Sequence, residues 1–183
     1  MSMFCFQCQE AAMGKGCTIQ GVCGKQPDTA KLQDLLVHTT KSIAFFSRKL
    51  RASGNVSSDV DYYLINSLFT TITNANFDND VIIERIREGL KLRDNLWQIT
   101  KEKGITIENT FPTYLKATSE LATTDEMIAF AETVGVLRTE NEDIRSLREL
   151  VIYGLKGLTA YAEHAFNLGK QNPEIYSFIE KAL

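Results

Sequence analysis

The sequence predicts an all-α fold, and three observations support this prediction. Apolar residues recur every three or four positions through most of the chain, which is the spacing of one face of an α-helix. Residues that typically begin or end helices, such as Asp, Asn, Thr, Gly and Pro, separate these stretches. No segment shows the alternation of apolar and polar residues that is typical of a half-buried strand. The body of the protein is therefore expected to be a helical bundle.

Two helices are predicted in the first half of the chain. The first runs from about residue 29 to residue 52, and the turn-forming residues Ser53, Gly54 and Asn55 end it. Its predicted apolar face consists of Leu32, Leu35, Leu36, Ile43, Phe46 and Leu50. The second helix runs from about residue 57 to residue 74. Its predicted apolar face consists of Tyr62, Ile65, Leu68, Phe69 and Ile72.

A third helix is predicted from about residue 79 to residue 102. Asp78 precedes it and is a suitable N-cap, because its carboxylate can accept hydrogen bonds from the first free amides. The predicted inward residues are Ile82, Ile83, Ile86, Leu90 and Trp97. From about residue 104 to residue 124 the periodicity is lost and Pro112 occurs, so we expect a long irregular connection there.

Three further helices complete the predicted bundle. Thr139 and Glu142 have the spacing of a capping box, in which each side chain bonds the backbone amide of the other residue. Asn172 and Pro173 are a suitable N-cap and first residue for the last helix. The predicted bounds are about 125–134, 140–168 and 173 to the C-terminus.

Two glycines, Gly154 and Gly157, lie inside the longest predicted helix. A glycine in a helix interior costs up to about 1 kcal/mol relative to alanine. We therefore expect these two positions to mark a close approach between this helix and a neighbour.

The overall composition excludes several classes of function. The net charge is −3 and the isoelectric point is about 5.5, which argues against a nucleic-acid partner. No apolar run approaches the ~18 residues that a membrane span needs, and the N-terminus shows no secretory signal. The sequence therefore predicts a cytoplasmic protein without a membrane or nucleic-acid partner.

All four cysteines lie in the first 26 residues, in the pattern C-x2-C-x8-C-x5-C. They are Cys5, Cys8, Cys17 and Cys23. In a reducing compartment, clustered thiols hold a metal more often than they form disulfides. The two-residue gap between the first pair lets both sulfurs face one ion or cluster. We therefore interpret this segment as a metal-binding loop.

The residues around the cysteines predict how such a loop would be built. Gly14, Gly16, Gly21 and Gly24 would let the backbone wrap closely and donate amide N–H groups towards sulfur. Phe4, Phe6 and Met13 would shield a bound metal from water.

The cysteine spacing favours an iron–sulfur cluster but leaves zinc open. A structural zinc site usually has two Cys-x-x-Cys knuckles, and only one is present here. Disulfides would need an oxidising compartment, and a thioredoxin-type redox pair would need a βαβ unit that a helical body lacks. The two hypotheses that remain are an electron-transfer domain and a zinc-stabilised helical module that binds a partner without redox activity.

Four segments resemble the first domain of the hybrid-cluster proteins, also called prismane proteins or hydroxylamine reductases. They are MFCFQCQEAAMGKGCTIQGVCGK (3–25), LQDLL (32–36), LFTTITNANFD (68–78) and TENEDIRSLRELVIYGLKGLTAYAEHA (139–165). The resemblance implies a cluster-binding segment at 1–26 and a helical bundle at 27–183, which together form one domain. It also implies a [4Fe–4S] cluster held by Cys5, Cys8, Cys17 and Cys23.

The resemblance further implies electron transfer. In the family this cluster relays electrons from a reductase, here expected to be an NADH-dependent flavin and iron–sulfur protein, to a hybrid cluster. Hydroxylamine is reduced to ammonia there, or nitric oxide to nitrous oxide. Later domains of the family hold the hybrid cluster with His, Glu and further Cys residues, and this chain has no cysteine left for one. The chain is therefore expected to be redox-active but not a hydroxylamine reductase by itself. It would be either a fragment or a natural short relative, and self-association is a further expectation.

Overall fold

The computed structural model describes residues 2–55, 57–107 and 121–183. These residues form six α-helices and no strand, which confirms the predicted all-α class. The helices are Pro27–Ala52 (α1), Ser58–Thr70 (α2), Asn79–Glu102 (α3), Thr124–Val134 (α4), Glu142–Asn167 (α5) and Pro173–Ala182 (α6). None of the described helices is both long enough and apolar enough to cross a membrane. Most of the predicted irregular connection lies at residues 108–120, outside the described residues.

The first helix, α1, is the centre of the bundle. It packs against α2, α3, α4 and α6, whereas α5 packs mainly against α2. All six residues predicted for its apolar face are buried, from Leu32 to Leu50. Because α1 packs against four other helices, its buried surface is wider than the single face that the helical period predicts. The cysteine segment leads directly into this helix, which ties the candidate metal loop to the most buried element.

Three apolar clusters form the core of the described residues. One joins α1 to α3 and α4 around Leu36, Ile86 and Met127. A second joins α2, α5 and α6 around Leu68 and Leu155, and a third lies where α1, α2 and α3 meet. A fourth, small cluster forms around the buried side chains of Met3, Cys17 and Ala30. The cysteine segment therefore has its own apolar contact with the start of α1.

Of the predicted N-terminal helix caps, Asp78 and Asn172 are confirmed and Thr139 is wrong. Asp78 accepts hydrogen bonds from the amides of Asp80 and Val81, and Asn172 accepts one from Glu174, as expected. The capping box predicted at Thr139 is wrong, because Asn141 caps α5 and accepts from the amide of Ile144 at 2.9 Å. The Thr139 hydroxyl instead accepts a hydrogen bond from Arg148 at 3.2 Å. A complete capping box occurs at the start of α4, between Thr123 and Glu126.

The inward position predicted for Trp97 is wrong. Its side chain is 37% exposed, and the ammonium of Lys101 lies 3.6 Å from the centre of its ring. The buried neighbour is Leu96, which belongs to the cluster shared with α1 and α2. The first half of α3 packs in a different cluster, around Ile86. The buried face therefore rotates along α3, and a single helical period cannot describe both halves.

The close approach expected at Gly154 and Gly157 is also wrong, because a Cβ added at either position would meet nothing within 4 Å. The tight contact occurs at Gly89 on α3. A Cβ at Gly89 would lie 2.0 Å from the Tyr63 hydroxyl oxygen and 2.7 Å from Cγ2 of Thr39. Only glycine lets α3 pass this close to α1 and α2.

One face of α5 carries exposed apolar side chains. Leu147 is 65% exposed, Leu150 68% and Tyr161 80%. Gly154 and Gly157 lie between them along the helix. Self-association stays a prediction, and this stripe is the surface on which it would depend.

A buried group of charged side chains ties α1 to α2 and α6. Nε of Arg51 donates to Oε2 of Glu180 at 2.6 Å, and the same guanidinium also donates to Asp61. The hydroxyl of Ser47 donates to the other oxygen of Glu180. The side chains of Asp61 and Glu180 are 5% and 1% exposed. One arginine therefore balances two buried carboxylates from different helices.

Candidate metal centre

The cysteine segment is organised by a two-residue backbone bridge between Cys5 and Cys17. The amide of Cys5 donates to the carbonyl of Cys17 at 3.1 Å, and the amide of Cys17 donates to the carbonyl of Cys5 at 2.8 Å. A third hydrogen bond, from the amide of Met3 to the carbonyl of Thr18, extends this pairing. The bridge holds two of the four predicted ligands directly opposite each other.

The four cysteines differ in burial. Cys17 is 4% exposed, Cys5 and Cys8 are half-buried, and Cys23 is exposed. In residues 2–55, 57–107 and 121–183 there is no group of three or more His, Cys, Asp or Glu side chains arranged to hold a metal ion. The structure thus pairs Cys5 with Cys17 through the backbone, and the assignment of all four cysteines as ligands stays a prediction.

The expectation that glycine amides point at sulfur is wrong for all four glycines. The amides of Gly14, Gly16, Gly21 and Gly24 each donate to a backbone carbonyl. Gly21 nevertheless lies very close to a thiol. A Cβ at Gly21 would be 3.1 Å from the sulfur of Cys23 and 3.0 Å from Cβ of Lys25. Glycine is needed there so that the backbone can pass beside the Cys23 sulfur.

Of the three predicted shielding residues, only the two phenylalanines are partly buried. The rings of Phe4 and Phe6 lie next to each other, with centroids 6.1 Å apart. Met13 is 91% exposed, so its predicted shielding role is wrong. Met13 lies in a tight turn with positive φ, in which its side chain projects into solvent.

A buried lysine, which the sequence analysis did not identify, faces the cysteine pair. Lys25 is 1% exposed, and its Nζ lies 3.8 Å from the sulfur of Cys5 and 2.7 Å from Oε1 of Gln33. No carboxylate in the described part of the chain forms an ion pair with it. A lysine between the last cysteine and a helix normally indicates an exposed side chain, and no sequence pattern marked it as buried.

An open cavity of about 640 Å³ lies beside Cys5. Phe4, Phe6 and Gln7 line it together with residues of α1, α4 and α5, of the connection between α4 and α5, and of the C-terminus. The lining side chains that carry charge are Asp34, Lys41, Arg138, Arg148, Glu149 and Lys156. The cavity therefore brings a mixed set of charged groups to the edge of the cysteine segment.

Burial changes the ionisation of the groups around this cavity. It raises the pKa of Asp34 to about 7, although the nearby charge of Lys156 opposes the change. Burial also lowers the pKa of Lys156 to about 8 and that of Lys41 below its usual value. The pKa of His38 is lowered to about 4, so this ring is neutral at pH 7. Two groups thus titrate close to neutral pH in one cavity.

The raised pKa of Asp34 gives a testable pH dependence. Between pH 4 and pH 7 the folded state binds the Asp34 proton more tightly than the unfolded state does, so rising pH reduces the free energy of unfolding. Relative to Asp34→Asn, the natural protein should lose on the order of 2–4 kcal/mol across this window. Urea unfolding of both proteins at a series of pH values measures the difference directly.

The subtraction removes the contributions of groups whose pKa does not depend on Asp34, such as His38, whose lowered pKa acts in the opposite direction. Asp28→Asn, at an exposed position of the same helix, controls for the change in net charge. A difference between the natural protein and Asp34→Asn that stays constant from pH 4 to pH 8 would contradict the predicted shift.

The residues of the cysteine segment fit an anionic iron–sulfur group. Thiolates are the usual ligands of such clusters, and four of them are present here within 26 residues. A fully buried lysine is rarely found without an opposite charge, and the Lys25 nitrogen lies against the sulfur of Cys5. Asp34 interacts electrostatically with Lys25 but forms no ion pair with it in the described part of the chain, so a negatively charged centre at the cysteines would supply a partner in direct contact.

Comparison with known proteins identifies the family. The model of the Prismane/CO dehydrogenase family matches residues 3–183. The chain is 52% identical over 183 residues to a hydroxylamine reductase of Bacteroides thetaiotaomicron, and 53% identical over 184 residues to one of Desulfitobacterium hafniense. These alignments include the whole chain but only 32% and 33% of the relatives, so the chain spans about a third of their length. Proteins of the prismane family bind iron–sulfur clusters. The chain therefore belongs to the Prismane/CO dehydrogenase family.

Proposed function

We propose that the chain is an electron-transfer domain that binds a [4Fe–4S] cluster through Cys5, Cys8, Cys17 and Cys23. When bound, such a cluster accepts and releases one electron at a time. The observation that carries the proposal is the buried ammonium of Lys25, which lies 3.8 Å from the Cys5 sulfur and forms no ion pair with a carboxylate of the described residues. The relatives, which are named hydroxylamine reductases, support the redox character of the site.

The residues of the chain have distinct parts in this proposal. The backbone bridge holds Cys5 and Cys17 opposite each other, and the apolar contacts of Cys17 with Met3 and Ala30 exclude water from that side. Phe4 and Phe6 lie next to each other and line the cavity beside Cys5. Cys23 is exposed, so its sulfur is accessible to a redox partner at the surface. We expect that partner to be an NADH-dependent reductase that carries flavin and an iron–sulfur centre.

The competing hypothesis is a zinc-stabilised module that binds another protein and transfers no electrons. Four thiolates can also hold one zinc ion, so the ligand residues do not separate the two hypotheses. The buried lysine favours the cluster only through its charge, and a zinc ion with four thiolates is also anionic. Metal analysis is therefore the decisive experiment.

The test is the iron, sulfide and zinc content of the protein after purification without oxygen, together with its visible spectrum. We expect about four iron and four sulfide ions per chain and a broad absorption near 400 nm. One zinc ion per chain with no iron would contradict the proposal and would favour the binding module. If the protein contains both iron and zinc, reconstitution with iron and sulfide decides between the hypotheses. Only a cluster site would then develop the absorption near 400 nm.

We further propose that this chain alone does not reduce hydroxylamine. All four of its cysteines belong to the proposed cluster, and none remains to hold a second redox centre. The similarity to the hydroxylamine reductases covers about a third of their length, so their activity is not transferred to this chain. Hydroxylamine turnover by the purified, cluster-loaded chain would contradict this expectation.

A further inference from the structure

We propose that the buried charge of Lys25 raises the reduction potential of the cluster, and that Gln33 positions this lysine. The inference rests on the proposed function, because it requires a cluster at the cysteines. It concerns two residues outside the ligand set, one in the cysteine segment and one on α1.

The position of Lys25 is unusual for a lysine. Its side chain is 1% exposed, although a lysine normally extends its charged end into water. The nitrogen lies 3.8 Å from the sulfur of Cys5 and 5.6 Å from the centre of the Phe77 ring. Both the sulfur and the face of the ring are electron-rich, so the ammonium is directed at two groups that favour a cation. The charge is therefore held against one predicted ligand.

Gln33 fixes the lysine in this position. Its Oε1 accepts a hydrogen bond from the lysine nitrogen at 2.7 Å, and its Nε2 donates to the carbonyl of Asn76 at 2.8 Å. Gln33 is 2% exposed, its bond to the lysine is buried, and its bond to Asn76 is partly buried. The bond to Asn76 orients the amide with its oxygen towards the lysine. A neutral partner holds the ammonium without cancelling its charge, as a carboxylate would.

The effect of Lys25 on the reduction potential depends on how reduction changes the charge of the cluster. Each added electron makes a thiolate-bound cluster more negative, and a nearby positive charge stabilises the reduced form more than the oxidised form. Burial weakens the screening by water and salt, so the effect is larger than for a surface lysine. Asp34 and Lys156 are charged groups that interact electrostatically with Lys25. They remain unchanged when only Lys25 is replaced.

The test compares the natural protein with Lys25→Met, Lys25→Gln and Lys25→Arg, each loaded with iron and sulfide. Methionine removes the charge and the donor, glutamine keeps a neutral donor, and arginine keeps the charge. Lys15→Met is the matched control, because Lys15 lies in the same segment but is exposed. The midpoint potential is measured by titration with dithionite, which supplies the electron and is oxidised to sulfite, and is followed by visible and electron paramagnetic resonance spectra.

We expect both neutral variants to reduce the equilibrium constant for one-electron reduction about tenfold or more. A tenfold change corresponds to a midpoint lower by about 59 mV for one electron. Lys25→Arg and Lys15→Met should stay close to the natural protein. Gln33→Leu should lie between the natural protein and Lys25→Met, because the lysine would be retained but no longer held at the sulfur.

Each other outcome also decides the question. An unchanged midpoint in Lys25→Met and Lys25→Gln would overturn the inference. If the Lys25 variants take up no iron, the midpoint of Gln33→Leu decides the question. A midpoint below that of the natural protein supports the inference, and an unchanged midpoint overturns it.

Failure of the proposed function would look different. In that case the natural protein itself would contain no iron and sulfide, and no midpoint could be measured for any variant. A natural protein with a normal cluster and a midpoint insensitive to Lys25 would leave the proposed function intact. The iron content of the natural protein therefore separates the two failures.

Discussion

Replacement of Cys17 by alanine should reduce the iron and sulfide content of the protein to background, because a [4Fe–4S] cluster needs four thiolates. Cys17 is the most buried of the four cysteines, at 4% exposure, so no water or surface group can readily take its place. Alanine keeps the small apolar contact with Met3 and Ala30. The helical bundle should therefore remain folded, and circular dichroism should match that of the natural protein.

Thr18→Ala is the control, since it alters the neighbouring residue and keeps every thiol. The Thr18 carbonyl that accepts from Met3 belongs to the backbone and is retained in this variant. We expect Thr18→Ala to bind as much iron as the natural protein. A Cys17→Ala protein with a full complement of iron would show that Cys17 is not a ligand. The same experiment on Cys5, Cys8 and Cys23 tests the remaining assignments.

Replacement of Arg51 by methionine should destabilise the fold by about 3–5 kcal/mol. Removal of one partner of a buried ion pair leaves an uncompensated charge, and this has a cost of that order. Here the loss would leave two carboxylates, Asp61 and Glu180, without their shared guanidinium. Methionine retains most of the apolar stem, so lost packing adds little. Urea unfolding at pH 7 measures the effect.

Two further variants test whether the unpaired charges cause this loss. Arg48→Met, at an exposed position of the same helix, should change the free energy of unfolding by less than about 1 kcal/mol. Adding Asp61→Asn and Glu180→Gln to Arg51→Met should recover part of the stability, because no buried carboxylate then remains unpaired. If the triple variant is no more stable than Arg51→Met, the loss arises from packing and not from charge.

The helices were predictable from the sequence because their apolar residues recur at helical spacing. Residues that typically begin or end helices separate these stretches. The errors occurred where tertiary contacts decide the outcome. Trp97 follows the helical period of α3, yet the packing partner changes along that helix and Leu96 is buried instead. The sequence predicted a close helix contact at Gly154 and Gly157 but not at Gly89. Such a contact depends on the opposing side chain, here Tyr63.

For the candidate site, the sequence predicts a ligand set, which stays a prediction, but not the surroundings of the cysteines. Cysteine spacing indicates a metal loop because the chemistry of thiolates is specific. The bridge between Cys5 and Cys17 and the burial of Lys25 could not be predicted, since both depend on how residues distant in the chain come together. Asp34 and Lys156 were missed for the same reason. They lie 122 positions apart, on α1 and α5, and only the fold brings them to one cavity.

The backbone bridge between Cys5 and Cys17 has a consequence for the order of events when metal binds. It closes the loop of residues 6–16 through two hydrogen bonds. Closing a flexible loop of this length has an entropic cost of about 2 kcal/mol. Because the fold already closes it, a metal bound at one of these thiols meets the second at a high effective concentration. In the proposed function these two thiols would therefore act as a chelate, and much of the entropy of assembling the site would be lost during folding and not during metal binding.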